Sequence, residues 1–293
     1  MSIDYKEPYV IAEIGCNHMG QMDIAKELIE TAATFCKVDA VKFQKRCNRE
    51  LLTKEQYDAP HPNPANSYGS TYGEHREFLE FTVEQHAELK AFCEEKGIVY
   101  STSVWDLTSA KEIASLKPEF IKIPSACNNH YEMLRWLCQN YNGEIQISFG
   151  MTTHAEEEAI VKLFEEEGRA KDLTVYCCTS GYPVPMKDVC LLEITRLRET
   201  YGSRVKRIGF SGHHNGIAID VAALTLGAEV FERHYTLDRT WKGTDHAASL
   251  EPDGLRRLKR NLAQTYDALS YKSEEILPIE QVQRDKLKYR KHD

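Results

Sequence analysis

The chain of 293 residues carries 37 lysines and arginines against 45 aspartates and glutamates, a net charge of −8, with 42% hydrophobic and 10% aromatic residues. This composition supports a large packed core and excludes a disordered or fibrous chain, and its acidity argues against nucleic acid or an anionic membrane as partner, since both need a concentrated basic face. No apolar run reaches the ~18 residues of a membrane span, and Met1–Tyr9 holds Asp4, Lys6 and Glu7 where a leader would be apolar, so a soluble, cytoplasmic protein is expected.

Short β-rich runs alternate with helical periodicity, the pattern of βα units around a parallel sheet. A first strand is expected over Tyr9–Ile14, followed by a helix whose apolar face is Ile24, Leu28, Ala32 and Phe35. A second strand, Ala40–Gln44, opens into a connection from Lys45 to Thr82 that is far longer than the usual ~2 to 6 residues and reads as a functional lid. Thr82 and Gln85 form a capping-box pair ahead of Leu89, Phe92 and Cys93, and Gly97 stands where a helix stops. Strands follow at Ile98–Ser101, Phe120–Ile123 and Glu144–Ser148. Ile160, Leu163 and Phe164 give the next helix its apolar face and Gly168 ends it, before strands at Leu173–Cys178, Arg207–Ser211 and Val230–His234. Eight units fit a (β/α)8 TIM barrel better than an open sheet, and such a barrel needs roughly 250 residues. The expected plan is a single barrel domain over residues 1–275 and a tail over 276–293, a solvated end carrying Arg284, Lys286, Lys288, Arg290 and Lys291.

Active sites of such barrels lie at the C-terminal ends of the strands. Lys42 and Lys122, on separate strands with serine and threonine hydroxyls nearby, look like a cradle for phosphate and carboxylate. An equal alternative is that both lysines pair with acidic neighbours. His213 and His234 end adjacent strands and could meet at one divalent metal, although histidines satisfied by hydrogen bonds are commoner. Cys16 and His18 are weaker ligand candidates, and Cys177 with Cys178 reads as barrel filling. The nine cysteines, odd in number and without CxxC pairs, are expected to be reduced thiols.

The segments IAEIGCNHMG (Ile11–Gly20), AVKFQKR (Ala40–Arg46), TYGEHREFLEF (Thr71–Phe81), KIPSACNN (Lys122–Asn129), CTSGYPVP (Cys178–Pro185), GFSGHHNGIAI (Gly209–Ile219) and ERHYTLDRTWKGTDHAASLEP (Glu232–Pro252) resemble the sialic acid synthase family, nearest to its N-acetylneuraminate and N-acetylneuraminate 9-phosphate synthases. The resemblance implies a barrel that condenses phosphoenolpyruvate with an open-chain N-acylmannosamine-type sugar, giving a 3-deoxy-2-ulosonic acid and phosphate. It implies His213 and His234 as protein ligands of Mn2+ or Mg2+, and Lys42, Thr102, Lys122, Ser125, Ser180 and Ser211 as the phosphoenolpyruvate shell. Gln44, Asn66, Tyr182 and Asp245 would form the sugar shell, and Glu13 resembles the family's first-strand glutamate close to the reacting centres; it is the candidate acid/base group, with a metal-held water as competitor. A homo-oligomer, a dimer as first guess, is expected with it.

Two departures stand out. The family usually reads Lys-Ile-Gly-Ser-Gly-Glu/Asp in the fourth strand, whereas Ser125 is followed here by Ala126, Cys127, Asn128 and Asn129. Relatives usually continue into an antifreeze-like SAF domain that brings an arginine to the sugar; no such domain is expected here, and that arginine has no counterpart legible in the sequence. The alternatives left open are a related synthase for another aldose, such as mannose or a phosphorylated sugar, and a non-enzymatic sugar-phosphate-binding relic.

Overall fold

The computed structural model describes residues 3–289, so Arg290 and Lys291 lie outside the described residues. Eight parallel strands close into a barrel in sequence order. They are β1 Tyr9–Gly15, β2 Ala40–Lys45, β3 Val99–Val104, β4 Phe120–Ile123, β5 Glu144–Ser148, β6 Leu173–Cys178, β7 Arg207–Gly212 and β8 Val230–His234. All eight expected strands are found. The third was drawn too short because its polar end, Ser101 to Val104, looked like loop; pairing of Lys45 with Val104 carries the ladder three residues further. The helices are α1 Met22–Thr31, α2 Asn48–Leu51, α3 Lys54–Asp58, α4 Tyr72–Leu79, α5 Val83–Lys96, α6 Leu107–Ser115, α7 Tyr131–Asn140, α8 His154–Glu166, α9 Glu193–Tyr201, α10 Ala218–Thr225, α11 Pro252–Ala268 and α12 Pro278–Leu287.

Because helices cover the outside and side chains fill the inside, the strands are buried on both faces, which explains their nearly continuous apolar runs. Along each strand, alternate residues face opposite ways. One parity, including Val10, Val41, Phe43, Ile121, Ile147, Val175 and Phe231, packs with the helices. The other closes the lower barrel with Ile11, Ala40, Phe120, Tyr176 and Val230, and becomes polar towards the strand ends.

The Thr82–Gln85 capping box is present and Gly97 stops α5 at φ 70°. One expected helix face fails at its end. A single wider helical turn over Ala32–Cys36 extends α1 and brings Cys36 inward, leaving Phe35 46% exposed beneath the Arg256 guanidinium. The long connection after β2 is folded: α3 and α4 each begin with a capping box, and Gly73 lets α4 sit against Tyr57, since a Cβ there would lie 2.2 Å from the ring. Tyr68 from this segment stacks on Phe78 at 5.0 Å and donates to the Lys242 carbonyl oxygen, tying it to the loop after β8. The tail is more ordered than a bare solvated end, since α12 occupies it with Ile279 and Leu287 exposed. No helix among the described residues is long and apolar enough to cross a membrane.

Two imidazoles are locked in apolar packing: His18 stacks on Phe81 at 4.0 Å, and His86 shares a 2.8 Å hydrogen bond with the Tyr100 hydroxyl. Burial pushes both from 6.5 to about 3. In the unfolded chain they protonate near 6.5, so between about 6.5 and 3 the unfolded state holds more protons and stability falls with acid. The unfolding free energy, followed by urea titration, is expected to decline through that window, and His86→Gln should flatten the decline; an unchanged slope in the variant would remove His86 from the account.

Candidate active site

The polar upper layer of the inner face forms an open-mouthed cavity of about 340 Å3 at the strand C-termini, within the range of ~300–1,000 Å3 usual for small-molecule sites. Period-two alternation decides which residues enter it. Glu13, Lys42, Gln44, Ser103, Lys122, Ser148, Cys178, Ser211, Glu232 and His234 share the inward parity and line it. Thr102 has the opposite parity: its hydroxyl donates to Tyr100 Oη at 2.7 Å on the helix-facing side, and Ser103 takes the place assigned to it. The same rule separates the cysteine pair, with Cys177 in the outer core and Cys178 at the cavity.

Two ammonium groups and two carboxylates make the floor. Lys42 is ion-paired with Glu13, donates to Ser103 Oγ at 2.6 Å and lies 3.7 Å from Glu232 Oε2. Lys122 donates to Glu232 Oε2 at 3.1 Å and stands 3.3 Å above the centre of the Tyr176 ring. Glu232 also accepts from Ser211 Oγ at 2.9 Å. The alternative reading of the lysines, paired with acidic neighbours, is therefore the arrangement found, yet both also face the cavity. An ammonium has three donors, and Lys122 uses one on Glu232. Burial pushes the Glu13 carboxyl up, against Lys42. Burial acts on Glu232 in the same sense, but Lys122 and Lys42 outweigh it and hold that carboxyl well below the usual range. Burial lowers Lys122 against the pull of Glu232.

On the β4–β6 side, Gly150 N–H donates to Ser125 Oγ at 3.0 Å, and a Cβ on Gly150 would sit 2.4 Å from Ser180 Oγ and 2.7 Å from Ser125 Oγ. A missing side chain thus keeps two hydroxyls together at the cavity wall. On the opposite side Gln44 Nε2 donates to Glu13 Oε1 at 2.9 Å. Gly15, at φ +57°, sits where a Cβ would lie 3.0 Å from Gln44 Nε2, so both its backbone and its space favour glycine.

His213 and His234 bring their rings to 5.3 Å between centres, with Tyr182 4.5 Å from the first. The Thr179 carbonyl oxygen lies 3.1 Å from His213 Nδ1, a contact that leaves Nε2 for the cavity. Burial lowers His213 to about 3, so it presents a neutral imidazole, the form that ligates metal. His234 Nδ1 makes no hydrogen bond, with Asp245 Oδ2 3.7 Å away. This donor set fits a divalent ion held by two imidazoles with open positions. No group of three or more His, Cys, Asp or Glu gathered for a metal is found among the described residues. His214 and Arg233 turn outward to a buried cluster with Asp220. His18 donates nothing to the cavity: its Nδ1 accepts from Gly20 N–H at 3.1 Å. Cys16 does line the cavity.

Of the expected sugar shell, Gln44, Tyr182 and Asp245 line the cavity, whereas Asn66, at the end of the short 3-10 turn Pro64–Asn66, does not. The sequence reading missed Ser103, Trp105, Glu232 and two arginines, Arg46 and Arg76. Glu232 was within reach: once His234 is placed inward, the residue two before it must be inward too. Replacement of Ser103 by alanine is expected to lower activity about 5- to 30-fold by freeing Lys42 from a hydrogen bond of ~1–2 kcal/mol, while Thr102→Val changes stability more than activity; the reverse ranking in steady-state kinetics would invalidate the assigned parity.

Comparison with known proteins gives a consistent picture. The model of the NeuB family matches residues 28–274. The chain is 36% identical over 279 residues, 95% of its own length and 76% of the other's, to an N-acetylneuraminate-9-phosphate synthase of Homo sapiens. It is 32% identical to an N,N'-diacetyllegionaminic acid synthase of Campylobacter jejuni, covering 90% of this chain and 78% of that one. The crystal structure of an N-acetylneuraminic acid (sialic acid) synthetase from Leptospira borgpetersenii, in complex with citrate, superposes with a TM-score of 0.81 at 26% identity, covering 97% of this chain and 94% of the other.

Proposed function

This chain belongs to the NeuB family, and from that membership we propose that it is a synthase joining phosphoenolpyruvate to an open-chain N-acylmannosamine-type sugar, with a sialic acid-type 3-deoxy-2-ulosonic acid and phosphate as products. The observation that carries the reading is the cavity floor, where two buried lysines and two carboxylates stand beside His213 and His234 at the strand ends. The relatives are named for acids of acylated amino sugars, which favours an acylamino acceptor over plain mannose.

In the reaction, a bond forms between C3 of phosphoenolpyruvate and the sugar's aldehyde carbon. Positive charge develops at C2, water adds there, and the C–O bond to phosphate breaks. One proton of that water ends on the former aldehyde oxygen and the other leaves with phosphate. Lys42 and Lys122 hold the carboxylate and phosphate of the donor, with Ser125, Ser180 and Ser211 completing its oxygen contacts. Glu232 keeps the two ammonium groups a fixed distance apart. Glu13, its carboxyl raised by burial against the pull of Lys42, is placed to hold and return a proton at the cavity floor. Gln44, Tyr182 and Asp245 orient the sugar. His213 and His234 would hold Mn2+ or Mg2+, whose Lewis acidity polarises a carbonyl oxygen when the ion is bound.

Incubation with phosphoenolpyruvate, Mn2+ and either N-acetylmannosamine or its 6-phosphate, read by product mass and phosphate release, tests the reading. The expected result is a product equal in mass to the two substrates plus water minus phosphoric acid. Folded protein that releases no phosphate with any N-acylmannosamine would overturn it.

A further inference from the structure

His213 follows β7 and His234 ends β8. The last rung of the ladder between those strands pairs Gly212 with Arg233, so no rung pairs the two histidines with each other. On the outer side of the barrel wall, at the same height, lies a cluster that the reaction does not use. Arg233 stands between Glu232 and His234, which both line the cavity, and turns the other way. It is the largest of the fully buried side chains among the described residues, at 1% exposure. Its Nη2 donates to the His214 carbonyl oxygen at 2.7 Å, and its Nη1 to the Gly216 carbonyl oxygen at 2.9 Å and to the Asp220 carboxylate on α10. The His214 ring fills the same space, with Nε2 3.2 Å from Asp220 Oδ2 and 3.1 Å from Arg233 Nη1. Gly212 makes room for that ring, since a Cβ there would lie 2.9 Å from its Cε1.

An apolar side chain could fill this volume without the cost of burying a charge. What arginine adds is direction: its forked donors meet two carbonyl oxygens of one loop and a carboxylate that holds the guanidinium in place. The loop it grips begins at His214, next to His213, and its own backbone is joined to His234. A shift of one histidine against the other therefore has to break a buried, charge-assisted contact. The need is greatest at His234. His213 Nδ1 meets the Thr179 carbonyl oxygen at 3.1 Å, whereas His234 Nδ1 makes no hydrogen bond, so the direction of its ring is set by the backbone that carries it. With Arg233 locked outward, strand alternation keeps His234 inward. We propose that Arg233, seated by Asp220, is a positioning residue that fixes the two imidazoles, 5.3 Å apart between ring centres, for a single divalent ion. This inference rests on the reading of His213 and His234 as metal ligands, and deepens it by naming what holds them in register.

Mn2+ titration by calorimetry and the visible absorption of the Co2+-loaded protein, whose bands follow ligand geometry, provide the test. Arg233→Met should bind Mn2+ about 10- to 100-fold more weakly, the scale for removing a group that orients a metal-bound histidine, with altered Co2+ bands. Phosphoenolpyruvate affinity in EDTA should change far less, because Glu232 keeps its own contacts with Lys122 and Ser211. Asp220→Asn should weaken Mn2+ in the same sense, and Arg233→Lys should restore part of the loss seen in Arg233→Met. The double variant Arg233→Met/Asp220→Leu removes both charges, and should regain thermal stability without regaining Mn2+ affinity. Unchanged Mn2+ affinity and Co2+ bands in folded Arg233→Met, or affinity that returns with stability in the double variant, would reduce the cluster to packing and overturn the proposal. If Arg233→Met does not fold, Asp220→Asn decides by the same two measurements. Mn2+ affinity that survives in His213→Ala would defeat the ligand reading itself; affinity lost in His213→Ala and kept in Arg233→Met would defeat the positioning alone.

Discussion

His213→Ala and His234→Ala should each lower condensation by about a thousandfold or more, equivalent to ~4 kcal/mol of transition-state stabilisation, because a carbonyl that loses its Lewis acid loses several kcal/mol at once. The fold should survive: His213 contributes one 3.1 Å contact with the Thr179 carbonyl, and its ring lies at a cavity wall instead of in the core. Mn2+ binding measured by calorimetry should disappear with the activity, and exhaustive chelation of the unmodified protein should copy the variants. Full activity of His213→Ala after chelation would sink the metal role and leave the pair as hydrogen-bonding residues. Asp245→Asn, next to His234, provides a graded comparison, since it removes a charge 3.7 Å from Nδ1 without removing an imidazole.

The second large effect is expected at Glu232. Its carboxylate takes a hydrogen bond from Lys122 at 3.1 Å and another from Ser211 at 2.9 Å, and lies 3.7 Å from Lys42. Glu232→Leu leaves two buried ammonium groups to share Glu13, and breaking a buried pair in this way costs about 3–5 kcal/mol. For a domain of this size that corresponds to a Tm lower by roughly 6–15 °C. Phosphoenolpyruvate binding should weaken with it, because the ammonium groups lose the brace that separates them. The double variant Glu232→Leu/Lys122→Met should recover part of the stability and none of the activity, since it removes the unpaired charge and the donor contact together. A Glu232→Leu protein as stable as the parent would show that the four charges act independently.

The two histidines and Glu232 illustrate how far a one-dimensional reading carries. His213 and His234 were legible because each follows an apolar run that must be a strand, and strand ends are where a barrel keeps its chemistry. Glu232 was passed over because it lies inside such a run, where a charged residue looks like an interruption; it is tolerated there because two lysines from strands 190 and 110 residues earlier in the chain meet it. Thr102 and Ser103 differ by one position, and a one-residue slip exchanges the two faces of a strand. Nothing in the local sequence around them says which is inward. The β2–β3 ladder does, by pairing Lys42 with Ser101 and Gln44 with Ser103.

The arginines are the strongest case. Arg46 stands just past β2 and Arg76 thirty residues on, within a segment that reads as a loop rich in turn formers. The capping boxes at Thr53 and Thr71 are local signals for the helices there. Where those helices rest is a matter of packing: the close approach at Gly73, the Tyr68–Phe78 stack and the tie to the Lys242 carbonyl. By itself, then, the amino-acid sequence determined the alternation of strands and helices, the barrel and the family, because apolar periodicity and contiguous motifs are properties of neighbouring residues. Only the tertiary structure decided which polar side chains share one cavity and how their charges pair. Those depend on register between strands and on contacts across dozens of residues, and the free energy of bringing buried charges together exists only once the barrel has closed around them.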